Sequence, residues 1–484
     1  MLAIYFGGFA PKAFGQAEQG TITGIVRDSS GAVVAGAGVK AINVATNVSS
    51  STVSGADGYY TIPYLNPGTY NVTAEASGFS LSTVTNIHIT VNLSTSVNLT
   101  LKVGGVTQSV IVQANAIQLE TENSELGGTA SRDQIIELPQ LGRNPYNLIA
   151  LQPGVLPVYN NAGIQAQING GMANTSNVLL DGATQVNSSS GDLAYTPPLE
   201  SVGELKLITN NYSAEYGMSG GGVVTAASEA GTNAYHGSAY EYLRNTVFNA
   251  NGWYPNHVGQ KRSMYRENNY GFSLGGPLSI PRLYNGRNKT FFFTNLEWDP
   301  QSTPSLITAS VPTAAMRTGD FSGLVDQSGK QITLYDPNTT SLVPGTTNTW
   351  TRQPFPGNII PASRLTNPIV QNVMKYYPLP NTQGVQGIYN NFQSTPTRTT
   401  KQNTFLARVD QNFGSSHKAF VTVGRHAYSA VTPLINIAFP QTDTNGSPGG
   451  ATNTAWTGTV SDTWTIRPNL LIEFRGNFVH TFFG

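Results

Sequence analysis

No cysteine occurs in the 484 residues. Its absence excludes a disulfide framework, a thiolate metal centre and a cysteine nucleophile, but leaves the cellular compartment open, because bacterial surface proteins also fold without disulfides. Charge is scarce as well: Asp, Glu, Lys and Arg make up 11% of the chain, against about 25% in an ordinary soluble protein. Ser, Thr, Asn and Gln must therefore carry the polar surface. The two signs balance at 26 each, so no basic excess exists to neutralise phosphates, and nucleic acid is excluded as a partner. Long hydrophobic runs are missing too. Nothing approaches about 18 consecutive apolar residues, which excludes a membrane-spanning helix but not a transmembrane β-barrel, whose strands need only alternate. The six His are scattered, and none stands at metal-ligand spacing from another His or a carboxylate. The residues three places after them are Val91, Ala239, Gln260, Phe420, Ser429 and Phe483, so the His-x-x-Glu of a zinc peptidase is absent. No cofactor is expected, and for want of an acid/base or metal constellation no enzyme.

Present instead are 51 Gly and 28 Pro, a composition of many turns and few long helices, in a chain long enough for about three domains at roughly 150 residues each. The first residues, Leu2 to Phe14, are mostly apolar and lead to Gly15-Gln16-Ala17 before Glu18. Residues 1–19 are expected to be the remnant of a secretory signal, although its basic start is missing; a short buried strand or a tail is the alternative. From Gly20 to about Val103, β-branched runs such as Thr21 to Arg27 alternate with turns at Asp28-Ser29-Ser30-Gly31, Asp57-Gly58 and Asn66-Pro67-Gly68. Tyr60, Ile62, Leu65, Tyr70, Val72 and Ala74 recur at mostly even spacing, which predicts a β-sandwich of about 80 residues. The frame Gly24-x-Val26-x-Asp28, Asp57-Gly58-x-Tyr60-x-Ile62, Leu65-x-Pro67-Gly68-x-Tyr70-x-Val72 and Gly78-Phe79 resembles the carboxypeptidase regulatory-like domain. That resemblance implies a prealbumin-like accessory module without peptidase chemistry.

Residues 104–233 mix helix and strand signals. Ser131 or Asp133 can cap a short helix stopped by Pro139, Asn144-Pro145 opens a second, and Val178-Leu179-Leu180-Asp181-Gly182 is a strand running into a turn. This is a small α+β domain. Its wording, Gln167-Ile168-Asn169-Gly170-Gly171, then Asn177 to Gly182, Ser201 to Lys206, Ala214-Glu215-Tyr216-Gly217 and Gly220 to Val224, resembles the plug domain of TonB-dependent outer-membrane receptors. Asn169 stands where the plug pattern has Arg. The plug residues implied by the resemblance are Asn169, Gly170, Asp181, Gly182, Glu215, Tyr216 and Gly217. With the preceding regulatory-like domain and Ile135-x-x-Leu138-Pro139, the chain is similar to the Oar-like branch of that family. Thr107 to Ala114, after Gly104-Gly105, resembles the TonB box, with Val110, Ile111, Val112 and Gln113 as the segment a TonB-type energy-transducing protein would capture. A flexible strand with free backbone groups suits capture by strand addition, though any edge strand joining two domains has the same character.

From Ala234 onward, Tyr270, Phe272 and Leu274 alternate with Asn269, Gly271 and Ser273; Phe405, Ala407 and Val409 with Arg408 and Asp410; Ile472, Phe474 and Phe478 with Glu473, Arg475 and Asn477. One face suits lipid and the other water. Aromatics including Trp253, Tyr254, Phe291, Phe292, Phe293, Trp298, Phe482 and Phe483 stand near strand ends, as an interfacial girdle requires. A soluble antiparallel sheet with one wet face has the same period. Barrels of the resembled class have about 22 strands of about 9 to 11 residues, whereas 234–484 offers only about seven candidates, near Tyr240, Phe272, Phe292, Val409, Val421, Trp464 and Phe474. The expectation is an open, curved sheet with exposed edges at Ala239 to Leu243 and Phe474 to Phe482, the first part of a barrel whose gene continues beyond Gly484. Residues from about 303 to 400, rich in Pro, Thr, Asn and Gly, are expected to be a long extracellular loop region.

Gly217-Met218-Ser219-Gly220-Gly221 spells a nucleophile elbow, but Val223-Val224-Thr225 follows where a helix is needed; the glycines fit a tight turn better. The expected fold is mainly β: a prealbumin-like sandwich, an α+β plug and a partial transmembrane antiparallel β-barrel. The resemblance implies a receptor or transporter in the outer membrane of a Gram-negative-type bacterium. Its partners would be outer-membrane lipid, a TonB-type protein and an extracellular ligand of unknown class, siderophore, oligosaccharide and peptide all remaining open. The alternative is a secreted or surface-attached carbohydrate-binding adhesin on a soluble β scaffold.

Overall fold

The computed structural model describes residues 19–104, 109–113, 124–140, 142–158, 165–172, 175–187, 191–214, 216–217, 219–257, 262, 264–304, 307–394, 397–431, 450–467 and 470–483. The signal-like residues 1–18 lie outside them.

The first unit is a sandwich of nine strands: β1 (Gly20–Asp28), β2 (Gly38–Asn43), β3 (Ser49–Val53), β4 (Tyr59–Leu65), β5 (Gly68–Glu75), β6 (Leu81–Ile89), β7 (Ser94–Ser96), β8 (Leu99–Leu101) and β9 (Ser109–Gln113). One sheet has the order β4-β1-β7 with β8 also on β1, the other β3-β2-β5-β6-β9. Alternate residues of the strands, Ile22 and Val26, Tyr60 and Ile62, Tyr70, Val72 and Ala74, meet in one core, as a period of two requires when one face of each sheet is buried. Gly24 is needed for close approach: a Cβ there would lie 2.0 Å from the Val97 carbonyl oxygen, which also accepts a 2.6 Å hydrogen bond from the Tyr60 hydroxyl. The Asp28 carboxylate accepts from the Ser30 and Ala32 amides and closes the first turn.

The middle unit comprises β10 (Leu126–Ala130), β11 (Val155–Val158), β12 (Gln165–Ile168), β13 (Asn177–Leu180), β14 (Ala183–Thr184), β15 (Val202–Asn210) and β16 (Val223–Ser228), with helix α1 (Arg132–Glu137) and a 3-10 helix at Pro145–Leu151. Ser131 caps α1 in a capping box with Gln134, and Asn144 caps the 3-10 helix. The main sheet has the order β10-β15-β16-β13-β14. β13 and β16 are buried along their whole length, which is why they read as continuous apolar runs rather than alternating ones. The core of this unit takes in Phe293 and Leu406 from the following sheet, so the two units share an interior.

The last unit is a seven-stranded antiparallel meander: β17 (His236–Asn245), β18 (Arg266–Pro277) and β19 (Thr290–Pro304), then, after a long excursion bearing β20 (Ile307–Ala309), β21 (Ser341–Leu342), β22 (Trp350–Thr351) and β23 (Phe392–Ser394), the strands β24 (Thr397–Asn412), β25 (His417–Val431), β26 (Gly450–Arg467) and β27 (Leu470–Phe483). The sheet is open, with β17 and β27 as its two edges. All seven expected strand centres fall within these strands. Their lengths were less legible: β19 and β24 pair from Thr290↔Gln411 out to Pro304↔Thr397, where proline and threonine replace alternation. The two ends of the sheet differ in their connections, short turns at one and long loops at the other. Residues 413–416 link β24 to β25 at the short end, while 246–265 link β17 to β18 at the long end.

Burial in this sheet is inverted. Trp456, Val460, Trp464, Phe474, Phe478 and Phe482 are exposed, while Thr457, Thr459, Ser461 and Thr463 between them are buried. A soluble scaffold would cover its apolar face. Here the apolar face is the outer one, which removes the soluble alternative. The aromatic girdle needs one correction. Phe291 and Phe293 are each 1% exposed and point inward, because the middle unit fills the concave side at that level; Tyr270, Phe272 and Trp298 form an aromatic cluster within the same sheet.

Candidate functional site

The turns singled out in the sequence are backbone devices. Asp181 and Gly182 have φ of 51° and 78° and join β13 to β14 as a two-residue hairpin with Leu180↔Ala183 paired, the geometry for which Asp-Gly is preferred. Asn169 and Gly170, at φ of 50° and 75°, turn the chain after β12. The Asn169 side chain donates to the Thr209 carbonyl at 3.2 Å and to Asn210. These groups, with Tyr212 and Gly220, line a shallow pocket of about 490 Å³ at the long-loop end. Tyr216 is buried against Leu179, Ile208 and Val223, and the Gly217 carbonyl accepts from the Asn177 side chain. Glu215 lies outside the described residues. In the elbow-like stretch, the Ser219 hydroxyl accepts from the Gly222 amide and donates to the Gly222 carbonyl. It serves a turn.

Asp181 has a second role that turn chemistry does not reveal. Its carboxylate accepts from the Ser228 amide at 2.9 Å and the Ser228 hydroxyl at 2.7 Å. Arg408, reaching in from β24, donates to Asp181 at 3.0 Å and grips Asp410 through two bonds of 2.9 and 2.8 Å. Arg408 is 5% exposed and stacks over Phe420 at 4.4 Å. Each nitrogen of its guanidinium donates to a carboxylate, the pairing that a buried cation requires. Gly182 abuts β27, where a Cβ would meet the Arg475 guanidinium at 1.5 Å. The middle unit is therefore pinned to two strands of the sheet through one hairpin turn.

A second pin lies higher. Arg143, held at φ 46°, stacks 3.9 Å over Tyr242 and 4.9 Å over Tyr240. It also pairs with Glu200 at 3.2 Å and Glu297 at 3.7 Å.

The sandwich sits at the short-turn end. Lys418 donates to the Ser50 hydroxyl, and Asn233 bonds the Ala45 and Thr46 carbonyls. On β15 the Glu204 carboxylate accepts from the Val91 amide at 2.8 Å, and two residues on, Lys206 donates to the Asn92 carbonyl at 2.9 Å and to Glu125 at 3.0 Å. Burial pushes the Glu204 carboxyl up to about 7, against the opposing pull of the Val91 amide and Lys206. Where the three units meet, a cavity of about 640 Å³ is lined by Asn43, His88, Glu229, Arg408, Asp410 and Lys418 among others.

The expected capture segment, Val110 to Gln113, is a strand. β9 pairs in parallel with β6 from Leu81↔Ser109 to Thr85↔Gln113, so it extends the sandwich sheet beyond the expected boundary at 103.

Sequence reading missed Arg143 and the roles of Glu204, Lys206 and Arg408. The signal for them was their setting: in a chain with 11% charge, Glu204 and Lys206 interrupt the apolar run Val202 to Ile208, and Arg408 and Asp410 flank Val409.

Comparison with known proteins follows the same division. Residues 227–484 match a family described as outer membrane beta barrel domain, and residues 21–102 match the carboxypeptidase regulatory-like domain. The TonB-dependent transporter Oar of Myxococcus xanthus is 26% identical over 291 residues, covering 55% of this chain and 26% of that protein. Among solved structures, the outer membrane transporter YddB from Escherichia coli is 11% identical, covering 74% of this chain and 48% of that one at a TM-score of 0.35. The siderophore receptor PirA from Acinetobacter baumannii is 13% identical, with 73% and 56% covered at a TM-score of 0.28. The chain thus spans about a quarter of the curated relative and about half of these solved chains.

Proposed function

Because the chain belongs to the outer membrane beta barrel family and its place is the outer membrane of a Gram-negative-type bacterium, we propose that it works as a TonB-dependent transporter whose middle unit is the plug. Ligand held by the outer loops and the plug's long-loop end crosses the barrel when a TonB-type protein, driven by the proton gradient, remodels the plug. The observation that carries this is the shared interior: an α+β unit fills the concave side of an inside-out sheet, contributes to one core with Phe293 and Leu406, and is pinned by Asp181–Arg408. A unit so placed blocks passage until it is moved. The chemistry is binding and displacement, with no bond made or broken in the ligand.

The test needs no knowledge of the ligand. In planar lipid bilayers the full-length protein should stay closed to ions, and deleting residues 124–228 should leave large, steady conductance steps. Equal conductance with and without those residues would reject the plug assignment.

A further inference from the structure

We propose that Asp462, on the lipid-facing side of β26, anchors a phospholipid site that takes a primary ammonium headgroup. The inference needs only the chain's place in the outer membrane and stands whether or not the middle unit is a plug.

The site begins with a charge in an unexpected position. On β26, exposed Trp456, Val460 and Trp464 alternate with buried Thr457, Thr459, Ser461 and Thr463. Asp462 falls on the outward register between Val460 and Trp464, and its rung partners are Ala419 on β25 and Phe474 on β27. Its side chain is 49% exposed. Among the described residues that share this outward register on β24 to β27, it is the one carboxylate. A carboxylate on a hydrocarbon-facing surface is costly unless a cation meets it.

Its one protein partner leaves room for such a cation. His417, the first residue of β25, donates from Nε2 to Asp462 Oδ1 at 2.7 Å, and among the described residues nothing donates to Oδ2. Toward the short-turn end the imidazole stacks on Phe413 and Trp464, with ring centroids 4.6 and 5.7 Å away, and both aromatics are exposed. In the other direction along the strands the outward residues are Val421 and Val423, Gly458 and Val460, Gly476 and Phe478, without a polar side chain. Asp462 thus stands at a boundary, the level at which interfacial aromatics meet lipid headgroups.

The chemistry of the occupant follows from these surroundings. It must be a cation, and it must donate a hydrogen bond, because a carboxylate oxygen only accepts. It must also arrive joined to hydrocarbon, since the surface leading to Asp462 is apolar. A phospholipid with a primary ammonium headgroup meets all three conditions: the ammonium donates to Oδ2 with Trp464 beside it, and the acyl chains lie over Val460, Val421 and Phe478. An anionic headgroup would be repelled by the same carboxylate. Six residues farther along both strands the outward face carries the opposite charge, Arg425, stacked over its rung partner Trp456 at 5.6 Å. The two levels of the lipid face therefore select headgroups of different charge.

The test uses the full-length protein in detergent, with phosphatidylethanolamine and phosphatidylglycerol of identical acyl chains as probes. Native mass spectrometry should show the wild type retaining about threefold more of the ethanolamine lipid. Asp462→Asn should bring the two lipids to parity, and Asp462→Glu should keep the preference. Equal retention by the wild type, or an undiminished preference in Asp462→Asn, would overturn the proposal. Retention of phosphatidylcholine equal to that of the ethanolamine lipid would overturn the hydrogen-bonded anchor, since the methylated headgroup has no N–H to donate. A further measurement needs no variant. A carbodiimide joins a carboxylate to an adjacent amine as an amide, the reagent taking up the water that is lost. In vesicles containing phosphatidylethanolamine the lipid amine should be coupled to Asp462, as located by peptide fragmentation; coupling confined to other carboxylates would reject the site.

Discussion

Arg408 and Asp181 are separated by 227 residues in the chain and 3.0 Å in space. Breaking one member of such a pair leaves the other buried without its partner, so Arg408→Ala should cost about 3–5 kcal/mol. It should lower the melting temperature and open the middle unit to protease, with Asp181→Ala doing the same. Replacing both by apolar residues of similar size should cost less than either alone. Glu204 behaves differently because its carboxyl is raised to about 7 by burial. A raised carboxyl favours the folded, docked state fully below its ordinary value of 4.5, and that contribution is lost as pH rises through about 7. Thermal stability should therefore fall between pH 5 and pH 8 more steeply in the wild type than in Glu204→Gln. Parallel pH profiles of the two proteins would refute the assignment. Asn169-Gly170 and Asp181-Gly182 were legible in the sequence because their backbone requirement is local. The ionic pins were not, because no local rule says which distant strand will face a buried charge.

For the strands, period-two alternation located every element of the outer sheet but not the ends. Where β19 and β24 run beyond the lipid, their partners are each other rather than a membrane, and Thr397 to Thr400 has no apolar face to show. The reverse holds for β9: Val110, Ile111 and Val112 are recognisable as a strand, but nothing in the sequence says that β6 is its neighbour. The pairing has a measurable effect. A fragment of residues 19–113 should melt higher than one of residues 19–103, since the longer one satisfies the β6 edge; equal melting would mean that the ladder is not formed in isolation. On the lipid face, Val421 is 43% exposed, and Val421→Arg should reduce insertion, by up to about 2–4 kcal/mol if it sits at mid-membrane depth. The fraction of folded, heat-modifiable protein on a gel measures this, with the same change at an exposed site of the excursion, such as Thr349→Arg, as the silent control.

Across the whole molecule, the sandwich is bonded to the other two units at the short-turn end of the sheet, leaving the opposite end to the excursion between β19 and β24. That excursion has a closed neck: Ile307 to Ala309 pairs with Ser394 to Phe392 just beyond the last rung of β19 and β24. Two strands that already lie side by side fix where the segment leaves and returns, whatever lies between them. The sheet strands thus tolerate replacement of everything beyond the neck, and the excursion can diversify in sequence while the strands beneath keep their register. The turn at Gly345, with φ of 84° and open space within 4 Å of where a side chain would begin, offers a site for a foreign epitope. A tag inserted there should be reached by antibody on intact cells, and the same tag at Gly31 in the sandwich only after the outer membrane is breached.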